Sequence, residues 1–182
     1  LGGGISSLSK VCVVETSKDE QADIDFTFGQ VSVSQPIVEY LGACGNMSAA
    51  VGPFATMRSL VATPSEGETI VTIRDVNTKK LIRSRFVMKS GVPCINGSTS
   101  ISGVSGTGSP IWLDFINPSG TATEKLFPTG RPADKLNLDG RLISATLADV
   151  TTPCVFIPMS ELDLDYPPLP AQLDSSGNLS FS

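Results

Sequence analysis

A single stretch of this chain, Met47 to Leu60, carries the helical scatter of Met, Ala, Val and Phe, whereas the other apolar runs read as strands. That imbalance predicts one helix set against several strands. Lys10 to Glu15 (KVCVVE) has the β-branched density of a buried strand, and Ile24 to Val33 (IDFTFGQVSV) alternates as a half-buried one, with the polar turn TSKDEQAD between them. Thr69 to Val87 reads as two alternating runs around Asp75 to Lys80, a hairpin with Asn77 at its centre. Ile111 to Ile116, Leu142 to Leu147 and Val155 to Ile157 supply further strands. The sum is an α+β fold in which a strongly curved, mostly antiparallel sheet wraps the helix. Gly52-Pro53 is expected to bend or split that helix, because proline removes a backbone donor and crowds the preceding turn.

Gly- and Pro-rich segments divide the chain. Asn117-Pro118-Ser119-Gly120 and Phe127-Pro128-Thr129-Gly130-Arg131-Pro132 predict a domain boundary near residue 122, dividing 1–122 from 123–182. The opening LGGGISS reads as a loop leading into a strand, and the polar tail LDSSGNLSFS does not read as a natural terminus. Both predict a fragment of a longer protein.

Composition removes several classes of function. Thirteen Lys and Arg against 18 Asp and Glu, a net charge of -5 without blocks, offer nothing to a nucleic acid. No apolar run approaches the roughly 20 residues that span a bilayer, and the opening lacks a signal-peptide pattern, so a soluble, cytoplasmic protein is expected. The chain has no histidine, which rules out Ser/His/Asp and Cys/His sets. Its four cysteines, Cys12, Cys44, Cys94 and Cys154, contain no CxxC pair, so no metal centre is expected. Cys12 and Cys154 lie in apolar strand-like runs, VCVV and PCVFI, where a reduced thiol behaves as a small hydrophobe. GGG at Gly2 to Gly4 and GTGS at Gly106 to Ser109 match no Walker or dinucleotide fingerprint and read as turns.

The chemistry concentrates at Gly42-Ala43-Cys44-Gly45-Asn46, just before the helical stretch. If the helix starts there, the N–H groups of Gly45, Asn46 and Met47 lack partners within it and converge on one spot, which the helix dipole makes attractive to a carboxylate. A helix start also favours the thiolate, so Cys44 is a candidate acid/base group. A buried cysteine among glycines that merely allow tight packing would give the same spacing. Lys10 follows Ser6, Ser7 and Ser9 and opens a buried strand, a second candidate beside the default of an exposed lysine.

Five segments, LGGGISSLSKVCVV, DFTFGQVSV, GACGNMSAAVGPFA, GTGSPIWLDF and LFPTG, resemble in order and spacing the 2-methylaconitate, methylitaconate, oxalomesaconate and aconitate isomerases. Cys-Gly-Asn alone is shared with the wider diaminopimelate epimerase-like superfamily; the serine-rich stretch ending in Lys10, together with GACGNMSAAVGPFA, points to the narrower family. The resemblance implies two pseudo-symmetric domains, each a curved sheet around a central helix, with the active site in the cleft and the second domain incomplete here. It implies no metal or organic cofactor. Cys44 matches the catalytic thiol, Lys10 the paired amine, and Gly45 and Asn46 the carboxylate cradle, with Met47 completing the helix start. Ser6, Ser7, Ser9, Gly106, Thr107, Gly108, Ser109, Thr129 and Gly130 are expected near the substrate. One departure stands out, Thr152-Pro153 where relatives often carry Asn-Pro.

The activity so implied is a 1,3-allylic proton shift in a small unsaturated di- or tricarboxylate, with the order of acid and base left open. Alternatives are an amino-acid racemase or epimerase of the same superfamily, and a non-catalytic carboxylate-binding domain. The expected partners are a small carboxylate and, at most, a second copy of the chain in a possible homodimer, with no nucleic acid and no membrane.

Overall fold

A computed structural model of the chain describes residues 4–162. Among these residues ten strands form two sheets, and a single α-helix packs against the larger. The larger has seven strands: β1 (Lys10–Thr16), β2 (Ile24–Val31), β3 (Val38–Glu39), β4 (Gly67–Asp75), β5 (Lys80–Lys89), β6 (Val92–Pro93) and β7 (Trp112–Ile116). Its path runs β1-β2-β4-β5-β6, with β3 added to β2 and β7 to β5. All its pairings are antiparallel except β2 with β4. The smaller sheet orders β10 (Thr152–Phe156), β9 (Arg141–Val150) and β8 (Asp134–Leu138), all antiparallel.

The helix α1 (Gly45–Met57) touches β1, β4, β5, β6 and β7, which include both ends of the main path. Strands lie about 4.8 Å apart, so a cylinder about 10 Å wide reaches that many only if the sheet curls around it. Alternation supplies the lining: Ile24, Phe26 and Phe28 of β2, Val71 and Ile73 of β4, and Ile82, Phe86 and Met88 of β5 form one buried cluster with Val51 and Ala55 of α1. Each large side chain buried in this way contributes about 1.5–3 kcal/mol.

Of the two outcomes expected at Gly52-Pro53, a bend or a split, the split does not occur: α1 runs continuously through both residues. Gly52 is there for contact. A Cβ on it would stand 2.6 Å from Ser84 Oγ and 2.9 Å from Phe86 Cε1, so the bare backbone lets the helix settle onto β5. Proline removes one donor, and the remaining turns carry the helix through. The helix ends at Met57 rather than Leu60, because Ser59 takes a left-handed conformation (φ 54°) while its N–H reaches Thr56 O and that of Leu60 reaches Ala55 O. This is a Schellman closure, and it returns Leu60 to the core, which extends the apolar periodicity beyond the last helical turn.

The expected hairpin is present, with Asp75 opposite Lys80 and Asn77 in the connection. The strand expected to reach Val33 stops at Val31. Strand β8 has no counterpart in the sequence reading, since DKLNL is polar and pairs only through β9. Cys154 is exposed on β10 rather than packed as a small hydrophobe. Gly2, Gly3 and the tail LDSSGNLSFS lie outside the described residues.

A carboxylate ties the segment after β7 to the smaller sheet. Buried Asp149 of β9 accepts hydrogen bonds from the Thr121 hydroxyl (2.6 Å), from Ala122 N (2.8 Å) and from both the N and the Oγ1 of Thr123 (2.7 and 3.0 Å).

Candidate active site

Cys44 is the N-cap residue of α1, with extended backbone (φ −127°, ψ 99°) and a side chain that does not cap the helix. The first helical bond is made by Ser48, whose N and Oγ both donate to Cys44 O at 2.9 Å. The N–H groups of Gly45, Asn46 and Met47 precede that bond, and Gly45 and Asn46 are exposed. No acidic side chain occupies the first turn. A Cβ built on Gly45 meets nothing within 4 Å, so open space lies beside the helix start.

Lys10 reaches this place from β1. Its Nζ donates to Cys44 Sγ at 3.4 Å and to Asn46 Oδ1 at 3.3 Å, and the thiol donates to the same oxygen at 2.7 Å. The Cys44 residue is 9% exposed. Its sulfur sits at the rim of the apolar cluster, touched by one cation and one amide. Sequence reasoning named these three residues; their meeting in a single triangle is a product of the fold.

The strand start that carries Lys10 is held by a residue the sequence reading passed over. Gln30 lies opposite Lys10 in the β1–β2 ladder, and its Nε2 donates to Ser6 O (2.8 Å) and Ser9 O (2.9 Å). The short 3-10 turn Ser6–Leu8 is pinned against β2 in this way. Ser6 and Ser7 are exposed on it. Ser9 is 2% exposed with its hydroxyl donated to Ile5 O at 2.9 Å, which turns it inward rather than toward a ligand. Met47 likewise packs against the core, leaving only its N–H for the helix-start cradle.

Residues Gly106 to Ser109 line a recess of about 520 Å3 together with Ala49 of α1 and Trp112. Ala49 is one turn beyond Gly45 on the same helix face, which brings the loop to the flank of the site. Thr99 and Gly108 close that loop by exchanging backbone hydrogen bonds at 3.1 and 3.0 Å. Thr129 and Gly130 belong to a different cluster: Thr129 Oγ1 donates to buried Asp134 at 2.6 Å, and Arg131 donates to the same carboxylate. These two donor residues, Thr129 first, hold the Asp134 carboxyl below its usual range. No hydrogen bond joins the Thr129 cluster to Lys10, Cys44 or Asn46 among the described residues.

Cys12, read from the sequence as a plain core residue, lies on the Lys10 face of β1 and packs against the cluster that contains Cys44. Burial pushes its thiol up, charge on Cys44 pushes it further, and Lys10 opposes both. All four cysteines are free thiols. Among the described residues no group of three or more His, Cys, Asp or Glu stands together as a metal site, and no helix is long and apolar enough to cross a membrane.

A helix cradled by a curved, mostly antiparallel sheet is the architecture of the diaminopimelate epimerase-like class. The sequence narrows that class. Residues 1–180 match the PrpF protein family, and the chain belongs to that family. It is 35% identical to the 3-methylitaconate isomerase of Eubacterium barkeri over 98% of this chain and 47% of that protein. It is 34% identical to the 2-methyl-aconitate isomerase of Cupriavidus necator over 86% of this chain and 41% of the relative. A crystal structure of methylitaconate-delta-isomerase superposes with a TM-score of 0.80 at 35% identity, covering 98% of this chain and 46% of the other. The chain thus spans less than half the length of these relatives.

Proposed function

We propose that the protein containing this chain is a cofactor-independent isomerase that moves a proton across an allylic system in a small unsaturated di- or tricarboxylate. The observation that carries this reading is the Lys10–Cys44–Asn46 triangle beside the unbonded amides of α1. A substrate carboxylate seated on the N–H groups of Gly45, Asn46 and Met47 presents its neighbouring carbon to the triangle. One member of the Lys10–Cys44 pair removes a proton there, negative charge spreads over a dienolate, and a proton returns at the far end of the system. The helix amides hold the growing charge without reorganising, an effect of roughly 3–4 kcal/mol per donor in comparable sites.

The pairing of thiol with amine favours the isomerase over a racemase, which uses a second thiol on the opposite face of the substrate. Cys94 donates to Asn96 O at 3.3 Å and Cys154 lies exposed on β10, so neither shares the triangle. In this reading residues 1–122 supply most of one wall of the cleft, and 123–182 begin the other. The family resemblance and the names of the relatives support the substrate class, with methylaconitate, aconitate, methylitaconate and oxalomesaconate as the acids to try.

The test uses the full-length protein. Turnover of those four acids, followed by ultraviolet absorbance and by solvent deuterium incorporation, is expected for at least one. Cys44→Ser and Lys10→Ala are each expected to abolish it while the protein remains folded. Full activity in both variants sinks the mechanism, and full activity in one removes that residue's role.

A further inference from the structure

We infer that Asn77, in the β4–β5 connection, is a positioning residue that sets the approach of Cys44 to Lys10. The inference rests on the reading of those two residues as the reacting pair. Its geometric basis is the side of β2 that faces away from β1. On one edge β2 is paired along its length with β1, from Lys10 opposite Gln30 to Thr16 opposite Ile24. On the other edge the partner changes. Strand β4 runs parallel to β2 beside Ile24 to Phe26, and β3 runs antiparallel to it beside Gln30 and Val31. Val76 N donates to Phe26 O at 2.9 Å, and there the main chain turns away.

Phe28 falls in the gap between these partners, and the Asn77 amide fills it. Phe28 N donates to Asn77 Oδ1 at 3.2 Å, and Asn77 Nδ2 donates back to Phe28 O at 2.7 Å. The side chain thereby stands in for one rung of a ladder. Nδ2 donates its second hydrogen to Tyr40 O at 2.8 Å. Tyr40 follows the two-residue β3 directly and leads through Gly42 (φ 79°) to Cys44. Its ring lies over Gly29, where an added Cβ would meet Tyr40 Cε1 at 3.3 Å. The turn that presents Asn77 is itself shaped by Asp75, whose Oδ1 accepts from Asn77 N at 2.9 Å and Thr78 N at 3.2 Å.

The two reacting side chains are therefore anchored unequally. Lys10 is set by a seven-pair ladder on β2. Cys44 ends a loop whose ties to the same strand are the two pairs of β3 and the Asn77–Tyr40 bond. Helix packing fixes the axis of α1, whereas the N-cap takes its orientation from the chain entering it. Loss of the Asn77 amide leaves the helix seated and frees the thiol to drift from the ammonium. A displacement of about 1 Å at such a site costs on the order of a hundredfold in rate.

The measurement is a double-mutant cycle on the thiol itself in the full-length protein. The second-order rate of Cys44 alkylation by iodoacetamide, followed on the Cys44 peptide by mass spectrometry, is compared in wild type, Asn77→Ala, Lys10→Ala and the double variant. The expected result is an Asn77→Ala change of threefold or more that disappears in the Lys10→Ala background, with kcat lowered tenfold or more at little changed KM. Asn77→Gln, which keeps the amide but displaces it, is expected to fall between wild type and Asn77→Ala. An unchanged alkylation rate, or an equal change in both backgrounds, overturns the inference. So does the failure of both single Asn77 variants to give a cooperative unfolding transition, since the residue is then a determinant of the fold. Alkylation does not depend on turnover, so a wild-type protein that isomerises none of the acids defeats the proposed function while the cycle still answers for Asn77.

Discussion

The Cys44 thiol and the Lys10 ammonium both donate to one oxygen, Asn46 Oδ1, at 2.7 and 3.3 Å. That oxygen is neutral. Asn46→Asp places a full negative charge at hydrogen-bond range of the sulfur and opposes formation of a thiolate. A like charge so placed costs at least about 1.4 kcal/mol, a factor of ten. Cys44 alkylation is expected to slow at least tenfold in Asn46→Asp and kcat to fall with it, whereas Asn46→Ala changes alkylation less. Equal alkylation rates in wild type and Asn46→Asp contradict this account of the triangle.

Gly45 offers a test that separates ligand space from folding. An added Cβ there touches nothing within 4 Å, so Gly45→Ala is expected to keep or slightly raise stability, in line with the roughly 0.4–1 kcal/mol that alanine gains over glycine at compatible positions. In the proposed mechanism the same methyl group occupies the space assigned to the substrate carboxylate at the helix amides. KM is expected to rise at least fivefold with an unfolding midpoint that is unchanged or slightly raised; an unchanged KM places the carboxylate elsewhere.

Gly52 predicts the opposite pattern. Its missing Cβ is occupied by Ser84 and Phe86, so Gly52→Ala forces α1 off β5 and is expected to cost about 1–3 kcal/mol in urea unfolding. Ser84 Oγ is buried without a hydrogen-bond partner, so Ser84→Ala alone is expected to be neutral or stabilising. A Gly52→Ala protein as stable as wild type denies the close helix–strand contact.

Two buried aspartates shape stability against pH with opposite signs. Burial works against ionisation of Asp149, but the bonds from Thr121, Ala122 and Thr123 outweigh it and hold this carboxyl far below its usual range. Its contribution is complete above the unfolded value near 4 and is lost as pH falls toward the folded one. Burial raises Asp75, against the bonds from Thr78 and Asn77, and its Oδ2 has no partner. The fold therefore favours its protonated form, most fully below the unfolded value near 4, and that advantage is lost as pH rises through the folded value. Urea titrations from pH 3 to 8 are expected to show that Asp149→Asn flattens the acid decline, whereas Asp75→Asn is at least as stable as wild type at pH 8 and loses any gain in acid. Parallel curves for wild type and both variants refute the assignment.

The elements most legible in the sequence were those whose signal is local. Alternation in IDFTFGQV and in the runs around Asn77 reports strands buried on one face, and Gly-Ala-Cys-Gly-Asn before an apolar stretch reports a helix start. Strand β8 was illegible because DKLNL owes its strand state to β9 rather than to its own pattern. The split allowed for at Pro53 is absent for a related reason: one missing backbone bond is a local cost, and the seating of Gly52 on β5 is a tertiary gain that local pattern does not register.

Residue chemistry and short-range pattern were enough to single out Cys44, Lys10 and Asn46, because a helix start and a strand start announce themselves within a few positions. Tertiary structure alone decided that these residues meet, that Ser9 turns inward while Gly106 to Ser109 flank the helix, and that Asn77 and Gln30 brace the frame. The physical reason is that a contact such as the 3.4 Å approach of Lys10 to Cys44 joins positions 34 apart in the chain. Such a distance is set by strand register and helix packing, which no local segment encodes.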